Sequence, residues 1–192
     1  MAKYGARYIK WAPFASSNPE PENALPHYGT AMSMNKLVKV TDNPSFAEGK
    51  IYGDDSIAEY ASEFTENAID VEISDMDNTL AAAVFGATKE SDSEDLVSGA
   101  DDAAPHGGFG FISLKMVNGK KSYVGIFYPK CKAVPQGEEY NTKGENITFT
   151  PSKVHFVGTP ANNGAWKIIS KEQTTLEAAK AWLDGKLSAE AG

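Results

Sequence analysis

The strongest constraint on the fold is a pair of apolar runs joined at Asn118-Gly119, within FGFISLKMVNGKKSYVGIFYPKCKAV (109–134). Asn-Gly accepts the positive φ angles of a two-residue type I′ turn, which links antiparallel strands tightly. In the first run, Phe109 and Phe111 begin an alternating pattern, and SYVGIFYP repeats the alternation on the return. These runs predict an antiparallel hairpin inside a β-rich domain.

Other segments also have the alternation or the composition of strands. In NAIDVEIS (67–74), Ile69, Val71 and Ile73 fall on one face while acidic residues fall on the other, as in a half-buried strand. The segment NPSFAEG (43–49) is interpreted as a turn. Further strands are predicted at 4–11, 34–38, 50–53, 56–64 and 96–98, within NITFTPSKVHFVGT (146–159) and within GAWKIIS (164–170).

Two segments have helical spacing instead. SDMDNTLAAAVFGATK (74–89) predicts a short helix that Asp75 or Asp77 caps and Gly86 ends. TTLEAAKAWLDGKL (174–187) predicts a second helix, in which Thr174 and Glu177 form a capping box.

These elements define one fold class. About eight or nine strands, two helices and no alternation of strand and helix favour an antiparallel β-sandwich or barrel with a flanking α-helix and a short C-terminal helix. We interpret 1–192 as a single domain, with an N-terminal arm at about 1–30 and a C-terminal helix at about 174–187. The arm is predicted from the proline-rich stretch APFASSNPEPENALPHYG (12–29).

The charge balance bears on possible partners. The net charge is −8, with 18 lysines and arginines against 26 acidic residues, so the basic patch that holds nucleic acid stably is not expected. A surface past which DNA slides without sticking remains compatible with this charge. The longest apolar run, LAAAVFGA, is too short for a membrane span, and the N-terminus lacks a secretory signal pattern.

The acidic stretch YGDDSIAEYASEF (52–64) raises the question of a metal or catalytic site. On a strand, Asp54 and Asp55 point to opposite faces, and the spacing lacks the alternate acids of a calcium loop. Glu59 and Glu63 share one face. We therefore interpret the stretch as a polar strand face, either solvated or lining something.

No catalytic, cofactor-binding or metal-ligating residue is predicted elsewhere, no cofactor is expected, and the chain is interpreted as not an enzyme. Cys131 is the single cysteine, and YPKCKAV offers no neighbouring base. His27, His106 and His155 lie far apart without metal-ligand spacing.

The order of features has a parallel in one family. IYGDDSIAEYASEFTENAIDVEISDMDNTLAAAVFGA (51–87), followed by GFISLK, the NGK hairpin, YVGIFYPK, EEYNTKGENITFTPSKVHFVGT and GAWK, resembles the major tail proteins, or tail tube proteins, of long flexible-tailed (siphovirus-type) phages. The resemblance covers about 30–170 and depends on the ordered series of elements rather than on any catalytic motif.

The resemblance implies a structural virion protein. Such subunits form a β-sandwich or barrel with a flanking helix, assemble into hexameric rings and stack into the hollow tube through which the genome passes. The implied partners are copies of itself in the same and adjacent rings, the tape-measure protein, the tail terminator, and the baseplate or distal tail proteins. DNA would be met only in passage, and no membrane is implied. The implied location is the virion tail, assembled in the cytoplasm of a bacterial host.

Within this hypothesis we expect the acids Glu59, Glu63, Asp70 and Glu72 to face the lumen. Loops expected to contact neighbouring subunits or rings contain Pro13, Pro21, Pro44, Phe46, Glu94, Asp95 and Asp101. Three alternatives stay open: another β-sandwich virion protein such as a tail terminator or completion subunit, the inner-tube protein of a contractile tail-like particle, and a separate ligand-binding or hydrolytic β-sandwich.

Overall fold

The structure is a computed structural model that describes residues 2–53, 56–117, 119–140, 142 and 149–188. This part of the chain is mainly β. Its strands are β1 (Ala2–Pro13), β2 (Met32–Ser33), β3 (Leu37–Gly53), β4 (Ser56–Ile73), β5 (Thr88–Lys89), β6 (Leu96–Val97), β7 (His106–Val117), β8 (Lys120–Val134), β9 (Ser152–Gly158) and β10 (Ile168–Ile169). Its helices are α1 (Asn78–Phe85) and α2 (Leu176–Leu187).

One antiparallel sheet in the order β2-β1-β7-β8-β9-β4-β3 forms the body, with β10 added to β8 and a separate β5–β6 ribbon. The sheet curls over itself, because Trp11 of β1 stacks on Phe156 of β9 with ring centroids 5.1 Å apart, although β7 and β8 separate these strands in the sheet. Phe109 of β7 also stacks on Phe156, at 5.0 Å. The inner surface of this curl is the main hydrophobic core, which confirms the antiparallel β-sandwich with its flanking and C-terminal helices.

The central hairpin is confirmed. β7 and β8 pair from His106↔Lys132 to Val117↔Lys120, and Gly119 has the positive φ of 77° that its turn requires. Asn118 lies outside the described residues.

Helix α2 covers the outer face of β1, β7 and β8. Its buried Ala179, Leu183 and Leu187 pack on a second cluster that includes Ile112 and Phe127. The helix lies so close to the sheet that Gly110 and Gly125 have no room for a side chain against Leu183 and Trp182. The predicted N-cap was one residue off: Thr175 caps the helix by accepting from the Ala178 N–H at 3.3 Å.

Helix α1 matches its prediction. The Asp77 carboxylate accepts from the Leu80 N–H at 2.8 Å, and Gly86 ends the helix with φ of 74°. Leu80 and Val84 are buried in the main core.

Two predictions about the N-terminal half were wrong. Residues 43–49 are not a turn but part of β3, and the strands expected at 56–64 and 67–74 are one continuous strand, β4. The strand predicted at 4–11 is confirmed, because β1 pairs with β7 inside the sheet. At 43–49 and in β4, long-range pairing overrides a local turn signal.

Candidate functional site

A long two-stranded extension projects beyond the packed core of the fold. Residues 45–53 of β3 and 56–66 of β4, here called the projecting hairpin, pair only with each other in the described structure. β9, which pairs with β4 in the body, ends at Gly158 opposite Asn67. At about 3.3 Å per residue, the projecting hairpin extends roughly 26 Å beyond that point.

One face of the projecting hairpin is aromatic. Phe46 lies opposite Phe64, with ring centroids 5.8 Å apart, and Lys50 lies opposite Tyr60, with its ammonium 5.6 Å from the ring. Lys50 also pairs with Glu48 at 3.6 Å. Large apolar side chains are strongly exposed on this small element: Phe46 49%, Ile51 62%, Tyr52 68% and Tyr60 52%.

The other face is acidic. Glu59, Glu63, Asp70 and Glu72 lie opposite Ile51, Ala47, Thr41 and Lys39 of β3. These four partners are all odd-numbered positions along an uninterrupted stretch of β3, so the four acids share the face that points away from the core. The shared face depends on a bulge, because Ser45 pairs with Glu66 and Phe46 with Phe64, leaving Thr65 as the extra residue.

The four acids differ in their surroundings. Asp70 contacts His155 of β9 at 2.7 Å, and Glu72 lies between Lys39 and Lys153 in the register. Glu59 and Glu63 on the projecting hairpin instead face Ile51 and Ala47. In the body, Glu72 thus has a lysine on each neighbouring strand and Asp70 contacts a histidine, whereas the two acids of the projecting hairpin lie opposite apolar residues.

The base of the projecting hairpin is fixed by the segment before β10. Trp166 stacks on Phe64 at 4.5 Å with an interplanar angle of 12°. The next residue, Lys167, places its ammonium in contact with the Asp42 carboxylate of β3. Burial acts to raise the pKa of Asp42, but Lys167, together with the neighbouring Asn67 and Tyr128, outweighs it and lowers that pKa.

The residues expected in contact loops divide into two groups. Pro13, Pro44 and Phe46 lie in strands, so their assignment to loops was wrong. Pro44 is tolerated within β3 because this is an edge strand, where a missing N–H breaks no ladder bond. The others lie outside the strands and helices: Pro21 accepts from the Asn162 amide, Glu94 and Asp95 follow the β5–β6 turn, and Asp101 precedes β7.

Other groups with chemical potential are accounted for by the fold. Cys131 is buried on β8, and burial raises the pKa of its thiol, which leaves it protonated and weakly nucleophilic at neutral pH. Within the described ranges, no three His, Cys, Asp or Glu side chains are arranged to hold a metal ion. Neither α1 nor α2, the helices of the described part, has the length and apolarity needed to cross a membrane. Asp54 and Asp55 lie outside the described residues.

Sequence reasoning missed the cluster at the hairpin base. Its one local signal is Asn67, a polar residue in phase with the core positions Ile69, Val71 and Ile73. Trp166 and Lys167 reach the cluster only through the tertiary fold, and nothing in their own segment marks them.

No protein-family model matches the chain. The curated proteins also contain no significant match.

Proposed function

We propose that this chain is a structural, non-enzymatic virion protein: the major tail tube subunit of a long flexible-tailed phage. Copies would form rings, hexameric by the resemblance, that stack into a hollow tube around the tape-measure protein. The tail terminator and the baseplate or distal tail proteins would close its two ends, and the genome would pass through it. The implied location is the virion tail.

The observation that carries the proposal is the projecting hairpin. A two-stranded ribbon is marginally stable alone in water, and its outer edges present unpaired backbone groups. Here such a ribbon also exposes Phe46, Ile51, Tyr52 and Tyr60. Large exposed apolar groups on a sheet edge mark a surface that another chain covers.

In a ring, a second copy of this chain would cover this exposed surface. Neighbouring copies related by rotation would each supply the sheet edge that the next one lacks, and closure of the ring leaves no free edge. Obligate contacts of this kind bury about 2,000 Å² or more.

The acidic face supports the same arrangement. Duplex DNA carries about one negative charge per 1.7 Å of its axis, so a wall lined with carboxylates repels it and lets it move. We place Glu59 and Glu63, together with Asp70 and Glu72, on the lumen side of the tube.

Electron microscopy of the purified full chain tests the assembly. We expect tubes of variable length. Single closed rings would instead favour a tail completion subunit, and a monodisperse monomer that never assembles would overturn the assembly hypothesis.

A pair of variants tests the role of the projecting hairpin. Tyr52→Ser/Tyr60→Ser should abolish tubes while the far-UV circular dichroism and the melting temperature of the monomer stay unchanged, because both side chains are mostly exposed. Val97→Ser/Val134→Ser removes two exposed apolar groups elsewhere and should still form tubes. Normal tubes from the first variant would contradict the proposed interface.

A reconstruction of the tube tests the lumen assignment separately. Carboxylates of Glu59, Glu63, Asp70 and Glu72 on the outer wall would refute the acidic lining while leaving the tube itself intact.

A further inference from the structure

The two sides of the large sheet carry opposite charge. At one side of the strand order, three lysines or arginines lie in β1, one in β7 and four in β8, and these strands contain no acidic residue. At the other side, two acidic residues lie in β3 and five in β4, against one lysine in each half of β3. The net charge of −8 is therefore distributed unevenly, because the sheet has a basic side and an acidic side.

The basic side ends in a strand edge that is free over most of its length. On the side away from β7, β1 pairs with β2 only at Lys10 and Trp11. Within the described part of the chain, residues 2–8 have no strand partner on this side. This stretch, here called the basic edge, contains Lys3 and Arg7.

The chain itself leaves the charge of the basic edge without a counter-charge. Lys3 and Arg7 are exposed, and neither forms an ion pair with another described residue. Lys3 also lies directly opposite Lys115 of β7, and like charges in this position destabilise a sheet. A carboxylate supplied from outside the subunit would offset this repulsion.

The projecting hairpin has the complementary charge. Its described residues include four exposed glutamates and one exposed lysine: Glu48, Glu59, Glu63, Glu66 and Lys50. Lys50 pairs with Glu48 at 3.6 Å, which leaves an excess of carboxylates on this element.

A row of mutually paired residues crosses the sheet and relates the two surfaces to each other. From β1 to β3 the row consists of Pro13, Gly107, Cys131, Gly158, Asn67 and Pro44. Because each neighbouring pair of strands is antiparallel, the chain before Pro13 and the chain after Pro44 leave this row in the same direction. The basic edge and the projecting hairpin therefore extend toward the same end of the molecule, from opposite edges of the sheet.

A rotation about an axis along the strands brings these two surfaces of neighbouring copies together at the same height. The six strands from β1 to β3 alternate in direction, so β3 of one copy placed beside β1 of the next forms an antiparallel pair. The lengths also agree, because residues 45–53 and 2–8 span about 30 Å and about 23 Å at the rise of a strand.

We propose that the projecting hairpin of one copy docks on the basic edge of the next copy, where its β3 extends the neighbouring sheet beside β1. This inference rests on the proposed ring and identifies the surface that receives the hairpin. Lys3 and Arg7 gain carboxylates as neighbours, whereas two hairpins or two basic edges repel each other. Charge therefore favours head-to-tail contacts, which can close into a ring, over the symmetric contacts of a two-fold dimer.

Two charge-reversal variants of the full chain test this docking. The edge variant, Lys3→Glu/Arg7→Glu, makes the basic edge acidic. The hairpin variant replaces the four glutamates of the projecting hairpin: Glu48→Lys, Glu59→Lys, Glu63→Lys and Glu66→Lys. All the replaced side chains are exposed, so the circular dichroism and the melting temperature of each monomer should stay close to those of the wild type.

Electron microscopy at low salt gives the result. We expect no tubes from either variant alone, because its two docking surfaces carry the same sign of charge. An equimolar mixture should form tubes again, because each altered surface then meets an opposite one. The control Lys36→Glu/Lys132→Glu changes the total charge as the edge variant does, at exposed positions on the other side of the paired row, and should form tubes.

Two results would overturn the docking: tubes from either reversal variant alone, or no tubes from the mixture of folded variants. If the wild type forms tubes in the same experiment, the proposed function still stands. A wild type that never assembles refutes both.

Salt dependence provides an independent measurement with a milder change. Lys3→Gln/Arg7→Gln removes the charge of the basic edge without reversing it. At low salt its tubes should form about 10-fold more slowly than those of the wild type, because electrostatic steering is lost. In 1 M salt, where charges act over only about 3 Å, the two rates should be similar. Equal rates at low salt would contradict the role of the basic edge.

Discussion

Gly125→Ala is the substitution for which the structure gives the sharpest stability prediction. Gly125 lies on β8 beneath α2, and a Cβ built there clashes with the indole ring of Trp182. The backbone at this position has little freedom to retreat. The Gly125 N–H donates to the Ser170 hydroxyl at 2.9 Å, and its carbonyl accepts from the Ser170 N–H at 2.9 Å.

The indole or the whole helix must therefore move. Helix α2 is held by Leu183 and Leu187, both 0% exposed, so shifting it also opens the second cluster. Inserting a methyl group into such a contact costs about 1–3 kcal/mol, which is a roughly 5- to 150-fold larger unfolding constant.

Gly185→Ala in the same helix is the matched control. Nothing lies within 4 Å of a Cβ at Gly185, so this change should stabilise the protein by about 0.5–1 kcal/mol through helix propensity. Urea unfolding followed by circular dichroism, at a protein concentration too low for assembly, measures both changes.

The second arm of the experiment replaces the indole. In a Trp182→Leu background, the cost of Gly125→Ala should fall by at least half, because the clashing ring is gone. A Gly125→Ala protein as stable as the wild type, or one equally destabilised in both backgrounds, would refute the close approach of α2.

Two further predictions concern α2. Thr175→Ala should destabilise the protein by about 1 kcal/mol while Thr174→Ala should not, because Thr175 makes the capping bond. Equal effects of the two substitutions in a thermal melt would contradict that cap. Lys10 pairs with Asp184 at 2.7 Å, and although burial lowers the pKa of Lys10, Asp184 and Tyr8 together outweigh it and raise this pKa above its usual value of 10.5. Lys10→Gln should therefore lower the free energy of unfolding by up to about 1 kcal/mol at pH 7. This difference from the wild type should disappear as the pH rises past the raised pKa of Lys10. A difference that persists above that pH would contradict the pairing.

Local patterns in the sequence predicted the elements whose signals are local. Asn118-Gly119 placed the β7–β8 hairpin, Asp77 and Gly86 bounded α1, and the alternation around Val71 identified the inner face of β4. In each case the residues that form the element also carry its pattern.

The extent of β3 and β4 could not be predicted in this way. The bulge at Thr65 shifts the alternation by one residue, so β4 looked like two strands. Pro44 looked like a turn residue because its tolerance depends on β3 being an edge strand, which is a property of the whole sheet.

The candidate site could be predicted only in part, because some of its features also depend on the whole sheet. The acids of the projecting hairpin are visible in the sequence, and their common face with Asp70 follows only once the bulge is known. The contacts of Lys167 with Asp42 and of Trp166 with Phe64 join residues more than a hundred positions apart, and no local pattern encodes such pairs.

The bulge at Thr65 also determines how this hairpin can vary in length. Losing Thr65 would remove the bulge but leave Phe64 opposite Phe46 and Glu63 opposite Ala47, so the aromatic and acidic faces would both stay in place. Elsewhere in the hairpin, insertions and deletions that change each strand by two residues keep both faces in place, whereas a single-residue change in one strand needs a further bulge to keep them. Apart from the loss of Thr65, we therefore expect length variation in this part of the chain to occur in even steps per strand.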